Sequence, residues 1–124
     1  MKFESNNNAK GKLGELHALN YLIKNNYRIL AKNWRHRHLE IDLIAQKDNI
    51  LVIIEVKLRS SNSYGNPEDF VLLKKQKNLI AAANEYIIQN NLNNETRFDI
   101  ISIVDSEGSF SLDHIVDAFY PSAS

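Results

Sequence analysis

Three ionisable residues interrupt segments that would otherwise suit a sealed core: Asp42 in EIDLIAQ (40–46), and Glu55 and Lys57 in ILVIIEVKL (50–58). An ionised group in low dielectric costs several kcal/mol unless something compensates it. If the two segments form a hairpin around Asp48-Asn49, a two-residue type I′ turn, Asp42 falls opposite Glu55 and Glu40 opposite Lys57. Opposed Cβ atoms lie about 4.5–5.5 Å apart, so the Asp42–Glu55 pair is repulsive. Either one carboxyl takes up a proton, its pKa raised by its neighbour, or a hard divalent cation sits between them. Period-2 alternation puts Lys57 on the face of Glu55.

Acid, acid and lysine around one point suit phosphodiester cleavage. A metal polarises a phosphoryl oxygen and activates water, while lysine orients that water or steadies developing charge. The plainer reading of E-x-K in a strand is a solvated ion pair. Leu51, Val52, Ile53, Ile54, Val56 and Leu58 leave little room for a solvated face, so the charges belong at a strand end or in a cleft. A register slip of one residue would put Asp42 on the wrong face.

Two helical patterns carry further polar residues on apolar stripes. At about 100° per residue, Glu15 lies within the arc of Leu16, Ala18, Leu19, Leu22 and Ile23, as a core salt bridge or as a further acid of the site. Gln76 lies among Leu72, Leu73, Leu79, Ile80 and Ala83, where an amide needs hydrogen-bond partners. Lys74, Lys75 and Lys77 flank it, either to meet phosphates or as a solvated face. Arg35, Arg37 and Arg59 are further candidates for phosphate contact. In KNWRHRH (32–38), Trp34 either stacks on a base or joins the core. His36 and His38 fit that basic segment better than a metal site, for which no third ligand is near.

The elements that must position these residues read as follows. Residues 1–7 are polar and expected to be frayed, and a helix spans about Asn8 to Asn25. Strands follow at 27–34, 38–46 and 50–58. After the loop RSSNSYGNP (59–67), Pro67 with Glu68 and Asp69 opens a second helix that ends near Asn91. Two more strands, 96–104 and 109–116, flank the turn DSEG. The order α-β-β-β-α-β-β predicts one α/β domain over residues 1–124, a mixed five-stranded sheet flanked by two long helices.

The 124 residues are 44% hydrophobic and 24% charged, which indicates neither disorder nor a membrane protein. No apolar run approaches the roughly 18 residues of a spanning helix, and the N-terminus lacks a secretory h-region. The absence of cysteine excludes disulfides and Cys-based zinc sites, and a cytoplasmic setting is expected. The neutral total is unevenly spread. Residues 24–77 hold eleven Lys/Arg against six acids, and residues 78–124 one against seven. A basic middle can present a positive face to a polyanion, although solvated faces carry charge too.

With a helix acid, Asp42 on one strand and Glu55-Val56-Lys57 on the next, the chain resembles the PD-(D/E)xK nuclease superfamily. It looks most like the YraN-like bacterial family, which is similar to archaeal Holliday-junction resolvases. The resemblance spans roughly residues 9–119, through GELHALNYL (14–22), ILAKNWR (29–35), EIDLIA (40–45), VIIEVKLR (52–59), KKQ (74–76), AAANEYI (81–87) and RFDIISI (97–103). Leu39 and Ile41 depart from the Gly and Pro common at those positions. The resemblance implies a restriction-endonuclease-like fold. It also implies Asp42 and Glu55 as Mg²⁺ or Mn²⁺ ligands, Lys57 as the catalytic lysine, Glu15 as the helix acid and Gln76 in support. The activity so implied is endonucleolytic hydrolysis of DNA, branched or processed DNA among the substrates, and a resolvase-like task would favour a two-fold homodimer. The alternative is a non-catalytic nucleic-acid-binding or scaffold protein on the same fold.

Overall fold

The computed structural model describes residues 2–60 and 73–121, with side chains described for residues 11–59 and 73–121. Helix α1 (Lys2–Lys24) precedes strands β1 (Arg28–His36), β2 (Leu39–Lys47) and β3 (Ile50–Ser60). Helix α2 (Leu73–Gln89) leads to β4 (Glu95–Ser106) and β5 (Ser109–Phe119). The strands form one sheet in the order β1-β2-β3-β4-β5, antiparallel throughout except for the parallel pair β3/β4. A parallel pair needs a crossover, and α2 lies on it.

The near-continuous β-branched run of β3 is explained by its central place, covered on both faces. On one face Leu51 and Ile53 pack with Ile44, Phe98 and Ile100 against Leu79, Ala82, Ala83 and Tyr86 of α2. On the other, Val52 and Ile54 pack with Leu43, Ala45, Ile101 and Ile103 against Ala18 and Leu22 of α1. Continued along β3, this alternation turns Glu55 and Lys57 toward the α2 face.

The β2–β3 register runs from Lys47↔Ile50 to Leu43↔Ile54, as expected. Asp48 (φ 51°) and Asn49 (φ 66°) both adopt the left-handed conformation that a type I′ turn requires. Glu107 (φ 53°) and Gly108 (φ 87°) do the same in DSEG, between the paired Ser106 and Ser109.

Helix α1 differs from expectation in two ways. Its helical backbone reaches back to Lys2, through residues expected to be frayed, since each added residue of a formed helix contributes a hydrogen bond. Its packed stripe is also rotated: Gly14, Ala18 and Leu22 face the sheet, while Leu13, Leu16 and Ile23 are more than half exposed. The small residues let α1 lie close over Leu58; a Cβ added at Gly14 would meet Leu58 Cδ1 at 3.4 Å. The larger leucines are turned outward as a result. On α2, Leu73 is exposed rather than on the packed stripe. The expected opening at Pro67, the loop before it and Leu72 lie outside the described residues. Among the described residues no helix is long and apolar enough to cross a membrane.

Candidate active site

The β2–β3 ladder stops one pair short of the two acids. Beyond Leu43↔Ile54, the Val56 amide donates to Asp42 Oδ2 at 2.8 Å in place of a backbone carbonyl. Where the ladder ends, a carboxylate can serve as the strand's acceptor and keep its second oxygen for other work. On its other side Asp42 stands opposite Asn33, between the pairs Lys32↔Leu43 and Trp34↔Ile41.

Glu55 is 4% exposed, and its Oε1 has no hydrogen-bond partner. Burial and the neighbouring Asp42 carboxylate push Glu55 up to about 7, against the pull of Lys75 and Lys57. Both lysines attend the other oxygen: Lys75 Nζ lies 3.7 Å and Lys57 Nζ 3.9 Å from Oε2. Lys75 thus reaches from α2 to the acid. Gln76, next to it and half-buried, lies one turn before Leu79 on the packed stripe of α2.

Glu15 is half-buried on α1 and lines a cleft of about 350 Å³ with Lys12, Asn33, Arg35, Glu40 and Asp42. It shares that cleft with Asp42 but does not join a compact trio. Among the described residues no three of His, Cys, Asp and Glu stand together as a ligand set. The structure brings Asp42 and Glu55 together and leaves Glu15 on the helix wall. For Mg²⁺ two carboxylates suffice, because it keeps several waters and takes substrate phosphate as well. A buried carboxylate oxygen with no donor, beside a second carboxylate, fits a hard cation.

The expected Glu40–Lys57 pair does not form. Glu40 Oε2 accepts instead from Arg35 Nε at 2.9 Å, its partner in the β1–β2 register, because the β2–β3 ladder has ended before reaching Glu40. Arg37 and His38 are exposed in the β1–β2 turn, Arg37 with φ 58°. Lys74 is exposed on α2, and Arg59 Nε lies 3.4 Å from Ser102 Oγ. Trp34 belongs to the core, edge-on to Tyr86 with ring centroids 5.5 Å apart. His36 stacks on Trp34 and meets Gln89 and Glu85 rather than a second histidine.

Two polar residues escaped the sequence reading. Ser102, fully buried, is the register partner of Lys57 on β4, and its Oγ lies 3.4 Å from Arg59 Nε. Asp99, 1% exposed, accepts from Arg97 through both oxygens (2.9 and 2.8 Å) and from the Asp117 amide at 3.0 Å. His114 Nε2 lies 2.7 Å from Asp99, and Nδ1 of the same ring 2.9 Å from the Tyr21 hydroxyl. Burial pulls Asp99 upward, but hydrogen bonds from His114, Arg97 and the Asp117 amide outweigh it and hold its pKa below the ordinary value. An acid within the apolar run RFDIISI was the available signal, the same one that marked Asp42.

The model of uncharacterised protein family UPF0102 matches residues 14–103, which include Glu15, Asp42, Glu55, Lys57 and Gln76. The chain belongs to this family. A UPF0102 protein of Flavobacterium psychrophilum is 50% identical over 113 residues, covering 91% of this chain and 95% of the relative. Those of Flavobacterium johnsoniae (47% over 119 residues) and Bacteroides thetaiotaomicron (44% over 114) are similar over 91% and 92% of this chain, and 95% and 94% of their own. UPF0102 membership accords with the YraN-like resemblance and attaches no reaction to it.

Proposed function

We propose that the protein is a Mg²⁺- or Mn²⁺-dependent endonuclease that hydrolyses phosphodiester bonds of DNA, with branched or processed DNA as its substrate. The observation that carries this reading is the buried, donorless Oε1 of Glu55 beside Asp42, at the point where β2 and β3 part. Asp42 and Glu55 would hold the metal, and Glu15 would act from the helix wall of the cleft. Bound there, the metal would supply Lewis-acid polarisation of the scissile phosphate and a more acidic water.

The chain's own residues do the rest. The Val56 amide fixes the rotamer of Asp42. Lys75 braces Glu55 from α2, with Gln76 beside it on the packed stripe. Lys57 carries three donors on the face of Glu55 and would orient water or steady charge on a phosphoryl oxygen. Exposed Arg37 and Lys74 would meet the DNA backbone, together with Arg35, Arg59 and Lys75, which also bond within the protein. A two-fold dimer would set two such centres on one junction.

A second reading rests on the same lysines. Lys57 and Lys75 both lie within 4 Å of Glu55 Oε2, as a protein-only charge network would have them in a non-catalytic nucleic-acid-binding scaffold. Calorimetric titration of Mg²⁺ and Mn²⁺ into the wild type and Asp42→Asn, alone and with a four-way DNA junction, separates the two. Metal binding that disappears in Asp42→Asn supports the nuclease. No binding to the wild type, with or without DNA, leaves the scaffold.

A further inference from the structure

The cleft at Asp42 does not end at Glu15. A second cavity, about 150 Å³, continues along α1 and shares Lys12, Glu15 and Asn33 with the first. Together they make a groove between α1 and the β1–β2 strands. Its charges are segregated. At one end are Asp42 and Glu40, with Arg35 already committed to Glu40. At the other are Lys12 and Lys32, neither of which pairs with a carboxylate among the described residues, against the single acid Glu15. Leu16 and Leu19 add apolar surface there, and Leu16 is 51% exposed.

Asn33 stands at the junction of the two cavities. It is exposed and adopts φ 50° within β1, a conformation that glycine takes readily and other residues rarely, asparagine being the most tolerant. Asn26, Asn49 and Asn91 adopt the same conformation elsewhere, so what sets Asn33 apart is its place at the junction of the two cavities. Strain of this kind is a reason to look for function at the residue that bears it.

We infer that this groove is the track of a single nucleic-acid strand, which it leads past Asn33 and Glu15 to Asp42. The inference rests on the nuclease reading for what happens at the Asp42 end. At about 350 Å³ the cavity at Asp42 is on the scale of a small-molecule site and the 150 Å³ one is below it, which suits the phosphates and bases of one strand better than a paired duplex. Lys12 and Lys32 meet phosphates, the Asn33 amide offers a donor and an acceptor, and Leu16 and Leu19 receive base faces. The substrate class is therefore narrowed to DNA with an unpaired strand, such as an end, a flap or the open part of a branch.

The test is fluorescence anisotropy in EDTA, so that no strand is cut, with an oligothymidylate of about 12 nucleotides and a duplex of the same length. The wild type should bind the single strand at least about tenfold tighter than the duplex. Lys32→Glu should weaken single-strand binding about tenfold and lower its salt dependence. Lys24→Glu makes the same charge change at the end of α1, outside the groove, and should have little effect. Asn33→Gly, which relieves the backbone and removes the side chain with its amide, should weaken binding about threefold while melting no lower than the wild type.

Equal or tighter duplex binding overturns the inference, as does unaltered binding by a Lys32→Glu protein that melts like the wild type. Metal titrations keep the two claims apart. Asp42-dependent metal binding without single-strand binding would sink the groove and leave the nuclease standing. Lys32-dependent strand binding without metal binding would do the reverse.

Discussion

The Val56 amide donates to Asp42 Oδ2 at 2.8 Å, so an acid occupies the place of a strand carbonyl while the adjacent Glu55 is left with one unpartnered oxygen. Asparagine at position 42 keeps an acceptor for that amide and removes one of two neighbouring negative charges. Asp42→Asn should therefore raise the stability of the metal-free protein at pH 8 by about 1–2 kcal/mol, as relief of a like-charge pair does. Thermal melts in EDTA and in Mg²⁺ would read both halves of the expectation: a higher Tm without metal, and no further rise when metal is added. A Tm below that of the wild type would mean that the lysines hold the two carboxylates as a purely structural network.

The pH dependence has a definite sign. Glu55 has a folded-state pKa of about 7 against an ordinary value of 4.5, so the folded protein holds this proton more tightly than the unfolded chain. Metal-free stability should then fall as pH rises through the window from 4.5 to 7, by on the order of 3 kcal/mol from this group. Denaturant melts across the window should show a flatter profile for Glu55→Gln. Saturating Mg²⁺ should oppose the fall, since the metal takes the site as the proton leaves it. An identical slope in wild type and Glu55→Gln would remove Glu55 as the titrating group.

How far the sequence could be read depended on which forces set each feature. The β2–β3 register was legible because Asp48-Asn49 permits one tight turn, and period-2 alternation then fixes every partner up to Leu43↔Ile54. The end of that ladder was not legible. It depends on the tertiary fit of a side chain, Asp42, to an amide that a strand would normally bond, and it sends Glu40 to Arg35 instead of Lys57. The reach of Lys75 to Glu55 was not legible for a similar reason, since helical periodicity does not say how far a long side chain extends toward the sheet. On α1 the packing of Ala18, Leu19 and Leu22 was legible, but Leu16 and Ile23 are turned outward, because Gly14 and Ala18 decide how closely the helix can lie. Asp99 was passed over although it is more deeply buried than Asp42, its partners Arg97 and His114 lying on β4 and β5, with Tyr21 of α1 reaching it only through His114.

That second acid makes a contrasting prediction. Asp99 is fully engaged, and its pKa is held below the ordinary value, so its contribution is present above the unfolded pKa and lost as pH falls through the folded one. Asp99→Ala would strand Arg97 and His114 in partly buried positions and leave the Asp117 amide without its acceptor. Loss of one partner from such a network costs about 3–5 kcal/mol. Tyr21→Phe, which removes only the outermost hydroxyl, should cost about 1 kcal/mol. Urea melts at pH 7 check both. A small loss for Asp99→Ala, accompanied by a large one for Tyr21→Phe, would mean that the order of importance along the network runs the other way.

Gly14 supplies the last expectation, and it runs against the habit of treating a packed glycine as irreplaceable. Its backbone is helical, so no left-handed conformation requires glycine there. The nearest atoms to an added Cβ are the methyl ends and Cβ of Leu58, at 3.4 to 3.8 Å, which is ordinary van der Waals contact with a flexible side chain. Against that mild crowding, alanine in a helix interior is favoured over glycine by about 0.8–1 kcal/mol. Gly14→Ala should therefore be neutral or up to about 1 kcal/mol more stable in urea melts, with Mg²⁺ affinity unchanged because Asp42 and Glu55 lie on the strands. A loss of more than 1 kcal/mol would show that Leu58 cannot give way. If the loss came together with weaker metal binding, the closeness of α1 to the sheet would itself be part of what holds the site.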